Sequence, residues 1–98
     1  MNRFEHLITK LSEECAEISQ QCSKVLCFGL GDVYGPEGLS NLERLVGEIR
    51  DLQGVLEMLE DENVLPRVVW VRDAKAVEAK KVKVEHYISY ARSRGTLI

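Results

Sequence analysis

Phe4-Glu5-His6-Leu7-Ile8-Thr9-Lys10-Leu11-Ser12-Glu13-Glu14-Cys15-Ala16-Glu17-Ile18 decides the fold class. Apolar side chains at Phe4, Ile8, Leu11, Cys15 and Ile18 continue to Cys22 and Val25, with spacings that alternate four and three. Strands repeat every two residues, so this spacing specifies an amphipathic helix. Leu7 and Leu26 widen its apolar stripe, and no proline interrupts a helix from about Asn2 to Leu26.

Residues 28–40 hold four of the seven glycines and one of the two prolines. They predict a loop, and its glycines match no phosphate-binding fingerprint. A second helix opens on Ser40-Asn41-Leu42-Glu43, a capping box directly before a periodic run. Leu42, Leu45, Ile49, Leu52, Leu56 and Leu59 carry the same alternation, and the helix should end near residues 60–63. The final third is less regular at its start. Pro66 is a possible first helical residue, and Val68-Val69-Trp70-Val71 reads as helix or turn, since a lone strand would lack a partner. From Asp73, a capping residue, a third helix presents Val77, Lys81, Val84, Ile88 and Ala91 on one face and stops at Gly95. The expectation is an all-α chain, one domain over residues 1–98. It would be an antiparallel helical hairpin plus a C-terminal helix, completed as a bundle by oligomerisation.

Charge is unevenly spread. Residues 1–62 carry five basic and thirteen acidic side chains, whereas 63–98 carry eight basic and three acidic. The acidic part invites cations and the basic part phosphate or carboxylate. A net charge of −3 argues against a nucleic-acid partner. No apolar run approaches the ~18 residues of a membrane span. The first residues lack an apolar signal region, so a cytoplasmic location is expected. Cys15, Cys22 and Cys27 form no ligand frame or even set and read as reduced thiols, with Cys15 and Cys22 in the core. His6 and His86 read as surface groups.

The chemistry lies in two acidic pairs. Placing Cys15 and Ile18 at heptad positions a and d puts Glu14 at g and Glu17 at c; placing Ile49 and Leu52 likewise puts Glu48 at g and Asp51 at c. Antiparallel neighbours bring g positions face to face, and the two pairs lie at similar distances from the middle of the loop. Four carboxylates would therefore converge beside the seam. Such a set must either hold protons or recruit a cation. With no histidine or cysteine in it, the cation would be hard, Mg2+ or Mn2+. The alternative is a solvated acidic face. Glu13, at f, is an outer ligand, a water-orienting base, or a surface partner of Lys10 or Arg3.

Glu13-Glu14-x-x-Glu17 followed by Glu48-x-x-Asp51 resembles the signature of the all-α nucleoside triphosphate pyrophosphohydrolases, the MazG-like superfamily, in its small phage-type form. Ser23-Lys24, Phe28-Gly29, Asn41-Leu42-Glu43-Arg44-Leu45, Lys83-Val84-Glu85-His86-Tyr87 and Tyr90-Ala91-Arg92 extend the likeness over most of the chain outside residues 64–72. The chain departs from it in having Ile49-Arg50 where Leu-Gly is common and a longer gap between the acidic motifs, and in lacking a basic residue that is common near Cys27 in the family. The resemblance implies Mg2+-dependent hydrolysis of a (d)NTP to the nucleoside monophosphate and pyrophosphate. It implies Glu14, Glu17, Glu48 and Asp51 as ligands, Glu13 as candidate catalytic base, and a homodimer or homotetramer. Lys24, Lys80, Lys83 and Arg92 are then candidate phosphate contacts. Trp70, Tyr87, Phe28 and Tyr34 are rings that can stack on a base or pack in a core or interface. The competing function is a non-enzymatic helical interaction module whose acidic patch meets a basic partner.

Overall fold

A computed structural model describes residues 1–67 and 73–98; the expectation for residues 68–71, including Trp70, lies outside the described residues. The described chain runs α1 (Arg3–Phe28), β1 (Val33–Tyr34), β2 (Leu39–Ser40), α2 (Asn41–Asp61) and α3 (Ala74–Ser93). It divides into two compact units, Met1–Pro66 and Arg67–Ile98. The helical hairpin expected from the periodicity is the first unit, with α1 packed on α2. The C-terminal helix is the second.

Each helix begins where a side chain satisfies a free N–H. Asn2 Oδ1 accepts from Glu5 N at 2.8 Å. The Ser40 capping box is complete: Ser40 Oγ accepts from Glu43 N, and Glu43 Oε1 accepts from Ser40 N, both at 3.1 Å. Asp73 Oδ1 accepts from Ala76 N at 3.1 Å. Such caps contribute about 1 kcal/mol each.

The ends of α2 and α3 share one geometry. In α2, Asn63 takes a left-handed φ of 59°. Its N–H donates to Glu60 O and the next N–H, of Val64, reaches back to Leu59 O, both at 2.9 Å. In α3, Gly95 at φ 76° plays the same part; Gly95 N bonds Arg92 O and Thr96 N bonds Ala91 O. These are Schellman closures, which satisfy carbonyls that a helix end would strand.

The connection between α1 and α2 is more ordered than its glycine content suggests. Val33 pairs with Ser40 and Tyr34 with Leu39, forming a two-stranded antiparallel ribbon. Two-residue strands leave no period to read, so the sequence shows only a loop there. Gly38 N bonds Gly35 O across the turn at 3.3 Å. Gly35 has φ 84°, and an added Cβ would lie 2.9 Å from Glu37 Oε2 and 3.0 Å from an Arg44 guanidinium nitrogen. The positive φ favours glycine there, and any larger residue would also have to displace the Glu37 and Arg44 side-chain ends.

Leu7 and Leu59 are the buried apolar side chains among the described residues, at 4% and 0% exposure. The inner stripe of α1 is Leu7, Leu11, Glu14, Ile18, Gln21 and Val25; that of α2 is Asn41, Leu45, Glu48, Leu52, Val55 and Leu59. The packed seam is thus one edge of each apolar stripe. Phe4, Ile8, Leu42, Val46 and Ile49 remain exposed. Cys15 and Cys22, expected in the core, are exposed as well. They share the outer edge with Phe4 and Ile8, which α2 does not cover.

Candidate metal centre

Polar residues set the register of the hairpin. Gln21 and Asn41 are 5% and 1% exposed. Gln21 Nε2 donates to Asn41 Oδ1 at 3.0 Å and to Asn41 O at 3.3 Å. Asn41 Nδ2 donates in turn to Gly29 O at 2.9 Å. A buried amide left without these partners would be costly, so this alignment is strongly favoured over slipped ones. One heptad away, roughly 10 Å along both helices, the same alignment brings Glu14 to Glu48.

Among the described residues, Glu14, Glu17 and Glu48 form the group whose potential ligand atoms all lie within 4.8 Å of one another. Glu14 and Glu48 are half-buried and Glu17 is exposed. One oxygen of each half-buried member, Glu14 Oε2 and Glu48 Oε2, is buried and accepts no hydrogen bond. Burial raises the pKa of Glu14, and the charges of Glu17 and Asp51 raise it further. Burial also raises that of Glu48, followed by a hydrogen bond with the Glu17 carboxyl and the charges of Glu17, Asp51 and Glu14. The same crowding that favours a proton favours a cation. The donor set is all oxygen, suited to a hard divalent ion.

The cluster borders a groove of about 300 Å³ lined by Gln21, Lys24, Leu39, Glu43, Arg44, Gly47, Glu48 and Asp51. The groove is bipolar, with Glu43, Glu48 and Asp51 as acidic lining and Lys24 and Arg44 as basic lining. Lys24 Nζ bonds the Tyr34 hydroxyl at 2.9 Å, which pulls the phenol pKa below its usual value, with the lysine charge adding to the effect. Arg44 donates to Tyr34 O at 2.6 Å and to Glu37 Oε2 at 3.1 Å, and its Nε is buried without a partner. That hydrogen bond, together with one from the Glu37 backbone N–H, the larger cause, lowers the Glu37 pKa. Arg44 was absent from the sequence-derived site. The signal for it was its spacing: one helical turn before Glu48, on the same face.

Of the expected ligands, Glu14, Glu17 and Glu48 are brought together. Asp51 is exposed and outside the mutual group, though its charge acts on Glu14 and Glu48. The carboxylates were expected beside the apolar seam; Glu14 and Glu48 lie within it. Glu13 is exposed and accepts an ion pair from Lys10 at 3.0 Å. Lys24 lines the groove. Lys80, Lys83 and Arg92 lie exposed on α3, in the second unit; Arg92 Nε donates to Ile98 O at 3.4 Å. No helix among the described residues is long and apolar enough to cross a membrane.

Comparison of the chain with protein-family models, with curated proteins and with solved structures gives no match.

Proposed function

We propose that the first unit is a Mg2+-dependent nucleotide pyrophosphohydrolase centre that cleaves a (d)NTP between its α and β phosphates. One observation carries the reading. Two buried carboxylate oxygens without hydrogen bonds sit in a three-glutamate cluster, beside a groove that also holds two basic side chains. The residues fit a hard divalent ion. Glu14, Glu17 and Glu48 would hold it, and Asp51, whose charge acts on Glu14 and Glu48, is a further candidate oxygen donor. Mn2+ suits the same donors. Bound there, the ion supplies neutralisation of phosphoryl charge and activation of water.

The protein's own part is positioning and electrostatics. Lys24 and Arg44 bind phosphate oxygens and set the chain of phosphates along the groove. Water adds to the α-phosphorus, the bond to the bridging oxygen breaks, and pyrophosphate leaves with the electron pair. Glu13 is the candidate base for that water, a role that requires release from Lys10. On the exposed apolar edges, Phe4, Ile8, Leu42, Val46 and Ile49 favour self-association of the chain, as a homodimer or homotetramer.

An acidic patch built to dock a basic protein would present its charges outward. Here Glu14 and Glu48 point into the hairpin seam, which favours a cation over a protein partner. The deciding experiment incubates the protein with a panel of NTPs and dNTPs, with Mg2+ or with chelator, and measures monophosphate and pyrophosphate. Metal-dependent release of both in equal amounts is expected. No turnover on any nucleotide would refute the enzyme reading.

A further inference from the structure

Beside the groove lies a second cavity, of about 260 Å³, lined by Lys24, Phe28, Asp32 and Tyr34. Lys24 is common to both. We propose that this cavity takes the base of the nucleotide, stacked on Phe28 and Tyr34, and that Asp32 selects guanine; the proposal rests on the nucleotide reading above.

Three observations lead to it. The first is the state of the two rings. Phe28 ends α1 and is 68% exposed, and Tyr34 is 47% exposed. The Arg44 guanidinium lies 4.4 Å from the Tyr34 ring centre, while Lys24 Nζ is 5.4 Å from that centre and 2.9 Å from the hydroxyl. Arg44 therefore covers the ring, whereas Lys24 sits off its hydroxyl end. Phe28 and Tyr34 are the two rings that line the cavity. A flat aromatic ligand fits such a surface, and base–aromatic stacking tolerates any base.

The second is that the walls are fixed in advance. Asp32 O accepts from Asn41 N at 2.9 Å, and Leu30 O accepts from Leu42 N at 3.0 Å. Arg44 holds Tyr34 O at 2.6 Å, and β1 pairs with β2. Free N–H groups at the start of α2 thus anchor the loop that carries Asp32 and Tyr34. A pre-formed pocket avoids the ordering cost of a mobile one.

The third is placement. With Lys24 between the cavities, a base in one and phosphates in the other share a cation. The cavity alone is smaller than the ~300 Å³ at which ligand pockets usually begin, the groove is at that bound, and the two together fall inside the usual range. The Asp32 carboxylate is acceptor-only when ionised. Guanine offers it two adjacent donors, the ring N–H and the exocyclic amine. Adenine and cytosine offer an amine beside an acceptor, and uracil a single N–H.

The test uses the full chain in EDTA, titrated with GMP, AMP, CMP and UMP and followed by NMR at the Phe28 and Tyr34 ring signals. GMP should bind tightest and move both rings. Phe28→Ala should weaken GMP about tenfold or more, the scale of one lost stacking partner, with unchanged circular dichroism. Asp32→Asn should erase the preference for GMP. Equal binding of the four nucleotides by the unmodified chain, or an unchanged GMP affinity in Phe28→Ala, overturns the proposal. Metal and turnover play no part in this measurement. GMP binding without any nucleotide hydrolysis would therefore sink the hydrolase reading and leave the pocket standing. Nucleotide hydrolysis together with equal binding of the four monophosphates would do the reverse.

Discussion

Replacing Asn41 with alanine should damage both the fold and the site, although Asn41 is none of the candidate ligands. Its side chain is 1% exposed. It accepts from Gln21 Nε2 and donates to Gly29 O. Alanine removes both bonds. Gln21 Nε2 keeps the longer contact to Asn41 O at 3.3 Å, whereas Gly29 O loses the Asn41 amide. A net hydrogen bond is worth about 1 kcal/mol, and a buried polar group left unpaired costs about 1–3 kcal/mol more. The expected loss is therefore about 2–4 kcal/mol, a large share of the roughly 5–15 kcal/mol typical of a domain. Urea denaturation followed by circular dichroism reads it directly. At about 4–8 °C per kcal/mol for a domain of this size, the melting temperature should fall by at least about 8 °C. A double-mutant cycle with Gln21→Ala should show coupling of about 1 kcal/mol, because the two variants delete one shared bond. The Mg2+-induced rise in melting temperature should shrink as well, since the same alignment sets Glu14 against Glu48. A loss below about 0.5 kcal/mol, or an undiminished Mg2+ effect, would refute the claim that this pair fixes the register.

Glu48→Gln should raise the melting temperature of the chelated protein by relieving carboxylate crowding. It should also cut Mg2+-dependent turnover by more than about 100-fold, beyond the roughly 10–100-fold of outer-shell changes; calorimetry and the pyrophosphate assay check the two halves. The raised pKa values of Glu14 and Glu48 give a pH signature. Their folded forms hold protons more tightly than the unfolded chain does, so their contribution is full below the ordinary value of 4.5 and is lost as pH rises through the raised values. In chelator, the fall in melting temperature on going from mildly acid pH to neutrality should be smaller in Glu48→Gln than in the unmodified protein; parallel curves would contradict this. Arg44→Ala should raise KM about tenfold or more with a smaller effect on kcat, in line with loss of a charged hydrogen bond to phosphate; steady-state kinetics with an unchanged KM would remove Arg44 from the phosphate site.

The helix ends were readable because capping is local chemistry. Ser40 with Glu43, Asp73 and Gly95 each announce a boundary within four residues. The hairpin was readable too, from alternating four- and three-residue spacings. Its packed edge was not. The apolar stripe of α1 is wide enough to offer two seams, and hydrophobicity alone favours the one through Phe4, Ile8, Cys15 and Cys22. The structure uses the other, because Gln21 and Asn41 satisfy each other there. That choice moves Glu14 and Glu48 from beside the seam into it and leaves two cysteines exposed. Asp51, on the same helix as Glu48, was placed by heptad phase with the ligands; the rotation leaves it lining the groove. Arg44 stayed hidden because its charge alone says nothing. Its meaning comes from Tyr34 and Glu37, which the ribbon folds back onto it.

The two polar pairs in the hairpin act as alignment marks as well as chemistry. Sliding one helix past the other by a heptad would set a carboxylate against an amide at one level and strand a polar residue among leucines at the next. The residues that would hold the ion are thus part of the address by which α1 finds α2. Substitutions that erase them singly leave the helices with a blurred instruction. A chain that dispensed with the centre yet kept this fold would have to replace Glu14 and Glu48 together, with side chains that recognise each other.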